Sequence, residues 1–379
     1  MKILICGDFC PRGRVETLLN QGDYDAVLKE VREVTTGVDY SIVNLECPVA
    51  GKSDKLIDKV GPNLHCSDKC VEALKWAGFD AVTLANNHFL DFGEAGVKHT
   101  LAACRNYGLD TVGGGLNLGD AAKILFKDIK GNRLAIVNCC EHEFSIATDH
   151  SAGSNPLDVI GQYYAIQEAK KHADYVVVIV HGGVEHFWLP TERMKETYRF
   201  FVDAGADAVI NHHQHCYSGY ETYKEKPVFY GLGNFCFDGD QQNERWTSGY
   251  MVLLDIDNEK GVEYQLIPYR QCAEEPSIRL MQASEKDDFF MRIKSYNEVI
   301  ADRKANRAVY EQWCAEHEDM YKSALNPLYN RITARLFDGS MGKRLIGKQK
   351  WLYTQDMLVN ESHIERVRLL IDKQINSKK

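Results

Sequence analysis

Five apolar runs in this chain each stop on side chains that bind cations. K-I-L-I-C-G-D ends on Asp8, D-Y-S-I-V-N-L-E on Glu46, and F-D-A-V-T-L-A-N-N-H on Asn86, Asn87 and His88. Farther along, V-I-V-H-G-G-V-E-H delivers His181 and Glu185, and V-D-A-G-A-D-A-V-I-N-H-H-Q-H delivers His212, His213 and His215. A further run, V-F-Y-G-L-G-N-F, carries Asn234. Short runs rich in Ile, Val and Leu, bounded by turn residues, read as strands buried on both faces. A charge is unfavourable inside such a strand, so polar groups gather at its tip. In open α/β sheets, ligands bind beyond the carboxyl ends of the strands. Imidazole, amide and carboxylate groups brought together there predict a transition-metal site.

The remaining pattern fits that frame. Strands are expected over 39–45, 80–85, 110–113, 175–180, 207–211, 226–231, 249–256 and 262–268, with helices over 68–77, 94–107, 162–173 and 191–204. A hairpin is expected over 123–139, turning at Lys130-Gly131-Asn132. Such alternation argues a layered α/β fold. The glycines at 113–115 lack the surrounding residues of a phosphate-binding loop and read as a tight turn. After about residue 280 strand signals give way to charged helical texture, which predicts a domain over 1–278 and a helical extension over 279–379. Within the extension, the basic stretch 342–353 is either an anionic-partner patch or a solvated segment packing its aromatics.

The net charge of −9 is concentrated in the first 280 residues. An acidic region of that kind argues against nucleic acid as a partner and suits cation binding. No run approaches the roughly 18–20 apolar residues of a transmembrane segment. The opening M-K-I-L-I-C-G-D lacks the marks of a secretory leader. Together with twelve scattered cysteines, this points to reduced thiols and a cytoplasmic location.

The ordered set G-D at 7–8, N-L-E at 44–46, N-N-H-x-x-D-x-G at 86–93, H-G-G-x-E at 181–185, H-x-H at 213–215 and L-G-N-F at 232–235 resembles the CapA-type capsule-synthesis, or poly-γ-glutamate biosynthesis, family. That family is similar to the calcineurin-like metallophosphoesterases. The resemblance covers roughly residues 1–240. It implies a four-layer α/β/β/α sandwich with a centre for two divalent cations (Mn, Zn or Fe) at one edge. One cation would be held by Asp8, Glu46 and His215, the other by Glu46, Asn87, His181 and His213, with Glu46 bridging. His88 would be the catalytic acid, and Asp91 could orient its imidazole. The implied activity is a dimetal phosphoesterase acting on a phosphorylated small molecule or a capsule-related intermediate. The alternative is a capsule biosynthesis factor acting on polymer or serving as a non-hydrolytic assembly protein. Its partners would be an anionic substrate and capsule-assembly proteins. Many relatives of that family are membrane-anchored; with no leader and no apolar span read in the sequence, no such anchor is expected here.

Several residues carry two readings. Asp8 is a terminal metal ligand or a helix cap. Cys10 stands where the phosphoesterases place a histidine, and is a thiolate ligand or a small buried residue. Arg12 and Arg14 either clamp an anionic group or are ordinary surface arginines. Glu185 and Asn234 belong to the resemblance and read as pocket or supporting residues. On an extended strand end, His213 and His215 would face one side and His212 the other, which makes His212 structural. His65, His99, His142 and His317 lack a supporting motif, as does any specific role for His186.

Overall fold

A computed structural model describes residues 1–316, except 52, 53, 60, 258 and 260. One sheet runs β16 (Ile278–Leu280), β15 (Gly261–Gln271), β14 (Ser248–Asp257), β1 (Lys2–Phe9), β2 (Tyr40–Leu45), β3 (Ala81–Thr83) and β4 (Asp110–Val112). Its short branch β13 (Asn234–Cys236) pairs in parallel with the end of β1. A second sheet runs β11 (Tyr220–Tyr223), β12 (Lys226–Phe229), β10 (Ala208–His212), β9 (Tyr175–His181), β7 (Asn132–Cys140) and β6 (Leu125–Ile129). A two-stranded ribbon pairs β5 (Gly114–Gly115) with β8 (Gly153–Ser154).

Helices α1 (Arg14–Asn20), α2 (Tyr24–Thr35), α3 (Asp68–Trp76) and α4 (Gly93–Tyr107) cover the first sheet. The short α5 (Leu118–Ala121) packs on the ribbon, while α6 (Val159–His172) and α7 (Glu192–Asp203) cover the second sheet. The architecture is the expected four-layer α/β/β/α sandwich. Parallel neighbours β1–β2–β3–β4 and β7–β9–β10–β12 need crossover connections, and most of these helices provide them. Within each parallel run the carboxyl ends of the strands point the same way.

The foreseen elements fall within a few residues of expectation, and the 125–140 hairpin turns through Lys130 and Gly131 at positive φ. The sequence reading did not anticipate α1 and α2. Because α1 starts at Arg14 with Gly13 as its cap, Asp8 is not a helix cap. The turn expected at 113–115 is present for a packing reason. Asn138 of β7 places its amide oxygen where a Cβ on Gly113 would lie, only 1.9 Å away. That oxygen accepts from the Ala85 amide at 2.8 Å, while the Asn138 amide donates to the Ile179 carbonyl at 3.0 Å. One buried side chain thus ties the two sheets together beneath the strand tips.

Charged helical texture begins at α8 (Ala283–Ala301), followed by α9 (Arg303–Glu316). However, α8 buries Phe289, Ile293, Tyr296 and Ile300. Phe289 packs on Tyr217 and Tyr250, and Asn297 accepts from the Tyr220 amide at 2.7 Å. The first compact unit therefore runs from Met1 to Tyr310, past the boundary expected near 278. The apolar stripe at i, i+4, i+7 and i+11 is diluted by charge in the sequence, which hid its packing role. The basic stretch 342–353 and His317 lie outside the described residues. Among the described residues no helix is long and apolar enough to cross a membrane.

Candidate metal centre

The strand tips converge as the sequence indicates. Asp8 stands one residue before the end of β1, beside Asn234, its partner in β13. Glu46 directly follows β2, Asn87 and His88 follow β3, and His181 ends β9. Asp8, Glu46 and His215 each offer a donor atom, all within 4.8 Å of one another. His181 Nε2 lies 3.9 Å from Glu46 Oε1, 3.0 Å from Asn87 Oδ1 and 3.1 Å from His213 Nδ1. His215 Nε2 lies 3.8 Å from the same Glu46 oxygen. Glu46 therefore stands between two groups of donors.

The decisive feature is the state of Glu46. It is 0% exposed, and neither carboxylate oxygen has a hydrogen-bond partner. A buried carboxylate left this way carries a large desolvation penalty unless something positive meets it. Burial, followed by the charge of Asp8, holds Glu46 well above its ordinary range. Burial also raises Asp8, against the opposing pull of His215 and the Asn44 amide. The imidazoles shift the other way. Burial, then neighbouring His213, holds His181 well below its ordinary value, and burial brings His213 and His215 down to about 4. Neutral imidazoles with free lone pairs around the unpartnered carboxylate of Glu46 and the buried carboxylate of Asp8 are the donor set a divalent cation requires. The residues present fit such an ion.

His88 occupies a different position. Its Nδ1 is 2.7 Å from Asp91 Oδ2 and 3.0 Å from Lys59 Nζ. Asp91 is fully buried, also accepts from the Leu64 amide at 2.6 Å, and is ion-paired with Lys59. Asp91 only accepts and Lys59 only donates, and both face Nδ1, so Nε2 is the nitrogen left available for chemistry.

Three expectations change. His213 and His215 do not lie on an extended strand, since β10 stops at His212 and both adopt left-handed backbone conformations with φ of 95° and 56°. Strand alternation therefore does not apply. His212 does not point away, because its Nδ1 is buried 3.8 Å from Asp8 Oδ1, and burial lowers the imidazole to about 3. Arg14 is occupied elsewhere: its guanidinium meets Asp238 and donates to the carbonyls of Cys272, Ala273 and Glu274 at 2.8–3.1 Å. It ties α1 to the β15–β16 turn and is not free to clamp an anion.

The other expected residues are placed as follows. Arg12 and Glu185 are exposed. Asn234 accepts from His215 Nδ1 at 2.9 Å, leaving that ring's Nε2 toward Glu46. Cys10 is buried, its thiol against that of Cys47, and is not part of the compact Asp8–Glu46–His215 group. His99, as expected of a histidine without a motif, makes a local hydrogen bond to Asp54 at 2.8 Å.

Sequence reasoning missed Lys59, Asn44 and Glu143. Asn44 donates to Asp8 Oδ1 at 2.7 Å and lies 3.3 Å from His181 Nδ1. It sits inside the N-L-E motif, so a signal was present. Glu143 Oε1 lies 3.4 Å from His213 Nε2, on the loop that follows β7. The rule that strand tips carry ligands could have found it. Lys59 lies on a loop without periodicity and left no signal.

Residues 2–239 match the family described as Bacterial capsule synthesis protein PGA_cap. The Capsule biosynthesis protein CapA of Bacillus anthracis is 35% identical over 255 residues, covering 65% of this chain and 61% of that protein. The PGA biosynthesis protein CapA of Bacillus subtilis (strain 168) is 35% identical over 245 residues, covering 64% of this chain and 63% of that one. The chain thus spans less than two thirds of either relative. Among solved structures, a 5'-nucleotidase from Candida albicans SC5314 is similar with a TM-score of 0.41 and 13% identity, covering 83% of this chain and 57% of that one. With a family match over residues 2–239 that takes in every strand tip of the centre, the chain belongs to the bacterial capsule synthesis protein family.

Proposed function

We propose that this chain is a metal-dependent hydrolase, a dimetal phosphoesterase acting on a phosphorylated small molecule or a capsule-related intermediate. The buried, unpartnered carboxylate of Glu46 between two donor groups carries the reading. Asp8, Glu46 and His215 would hold one cation, and Glu46, Asn87, His181 and His213 the other. Bound divalent ions (Mn, Zn or Fe) supply Lewis-acid polarisation of a phosphoryl group and acidification of water. The chain's own contribution is to hold the donors neutral or anionic in a dry setting, and to aim His88 Nε2 at a leaving oxygen. Asp91 and Lys59 fix the His88 ring from behind.

Membership of the capsule family supports a second reading, in which the same centre acts on the polymer or serves assembly without hydrolysis. The test is hydrolysis of an aryl phosphate by Mn²⁺-loaded protein and its Glu46→Gln variant. Metal-dependent turnover that the variant loses is the expected result. Loaded protein that spares phosphate esters but shortens poly-γ-glutamate favours the polymer. Loaded protein that hydrolyses neither overturns the enzyme reading.

A further inference from the structure

We propose that Glu143 is a positioning residue whose single carboxylate orients two ligands of the second cation, Asn87 and His213. The inference rests on the dimetal reading above. The His213 ring has an inner and an outer nitrogen. Nδ1 is 3.1 Å from His181 Nε2, which in turn is 3.0 Å from Asn87 Oδ1. Nε2 lies on the other side, 3.4 Å from Glu143 Oε1. A neutral imidazole protonates one nitrogen and offers a lone pair on the other. Because a carboxylate can only accept, the proton belongs on Nε2, and the lone pair of Nδ1 faces the donor group.

Asn87 is constrained by the same logic. Its side chain lies near Glu143 and pulls that carboxyl down against the larger upward push of burial. Only the Nδ2 amino group can donate to a carboxylate, which turns Oδ1, the atom suited to a hard cation, toward His181. One acceptor thus sets both the tautomer of one ligand and the amide orientation of another. A carboxylate behind a metal-bound histidine is a common supporting arrangement.

The loop that carries Glu143 is built to keep it there. Two residues on, the Ser145 hydroxyl donates to the Asn87 carbonyl at 2.7 Å and accepts from the Leu90 amide at 3.1 Å. The Ser145 carbonyl accepts from the Ser154 amide at 2.7 Å. Gly153, with φ of 155°, allows this approach, since a Cβ there would lie 2.3 Å from the Ser145 carbonyl oxygen. The loop is therefore pinned to the N-N-H turn on one side and to β8 on the other.

Two measurements test the proposal on the full chain, with Glu143→Ala as the main variant and Glu143→Gln as the volume-preserving one. The first is titration of chelated, metal-free protein with Mn²⁺ or Co²⁺, followed by calorimetry and the Co²⁺ absorption spectrum. Glu143→Ala should weaken one of two cations by roughly 10–100-fold and leave the other within about twofold, with Glu143→Gln showing a smaller loss. The second is nitrogen-15 NMR of the metal-free histidines, which reads the tautomer directly. Wild-type His213 should carry its proton on Nε2, and the variant should lose that preference. If the wild type binds two cations and Glu143→Ala binds both as tightly with the tautomer unchanged, the role of Glu143 is overturned and the dimetal reading stands. A wild type that takes up no second cation sinks the dimetal reading, and this inference with it.

Discussion

Replacing Glu46 by Gln should reverse the order of stability between protein with and without metal. Glu46 is 0% exposed, and neither of its oxygens has a partner in the protein. An uncompensated buried carboxylate costs several kcal/mol after relaxation. A buried amide without partners costs about 1–3 kcal/mol. The isosteric amide should therefore be better tolerated by roughly 1–3 kcal/mol, or about 2–6 °C in Tm at some 2 °C per kcal/mol for a unit of this size. The sign with pH follows from the raised carboxyl. Native protein binds a proton that the unfolded chain releases near its ordinary value of 4.5, so wild-type stability falls as pH rises above about 4.5. The variant's advantage should grow over the same window. With cation at 100 times its Kd, the wild type should gain about 2.7 kcal/mol per bound ion. The variant should gain little, because Glu46 serves both donor groups. The assay is thermal unfolding of both proteins at pH 5, 6.5 and 8, in chelator and in Mn²⁺. If Glu46→Gln proves less stable than the wild type in chelator at pH 8, the carboxylate is satisfied without a cation and the argument for the site fails.

Combined His213→Ala and His215→Ala should remove at least one equivalent of metal from purified protein, read by elemental analysis; unchanged content would refute the assignment. His88→Ala should retain metal yet slow turnover by about 10²–10⁴-fold. That deficit should shrink on nitrophenyl esters, whose leaving group needs little protonation, so an equal deficit on good and poor leaving groups would remove His88 as the acid. In metal-free protein His213 and His215 should titrate near about 4 by NMR, so their contribution to stability is lost as pH falls from about 6.5 toward 4; midpoints near 6.5 would contradict the burial argument. Arg14→Ala should lower stability by roughly 1–3 kcal/mol by leaving Asp238 without its partner, with metal content unchanged. Loss of metal in a folded Arg14→Ala protein would return that arginine to the site.

The parts of the site legible in the sequence are those where local pattern and destination coincide. Asp8, Glu46 and His181 follow apolar runs that can only be buried strands, so their side chains emerge at the tips. His213 and His215 are legible as a motif, but strand alternation does not explain their direction, since β10 stops at His212. Positive φ at both residues sets their direction, and sequence spacing does not encode such a turn. His212 was misplaced by the same assumption. Arg14 was misread because its partners, Asp238 and the carbonyls of Cys272–Glu274, lie more than two hundred residues away. Lys59 shows the same blindness to long-range pairing, since a loop lysine ordinarily belongs in water, and the side chain of this one is 2% exposed against Asp91.

The family match ends at residue 239, but the fold does not. β1, which presents Asp8, takes its antiparallel neighbour from β14 at 248–257, and β14 in turn pairs with β15 over ten residue pairs. A fragment cut at the edge of the recognisable motif would leave the central strand with an open flank, a template for intermolecular pairing. A cut near 282 would restore that flank but uncover Tyr217 and Tyr250, where Phe289 and its neighbours on α8 contribute burial worth on the order of several kcal/mol. The shortest stretch expected to express as a well-behaved protein therefore ends near Tyr310. In this chain the stretch that matches the family and the stretch that must fold to support it have different lengths, and fragments trimmed to the motif would discard part of the scaffold.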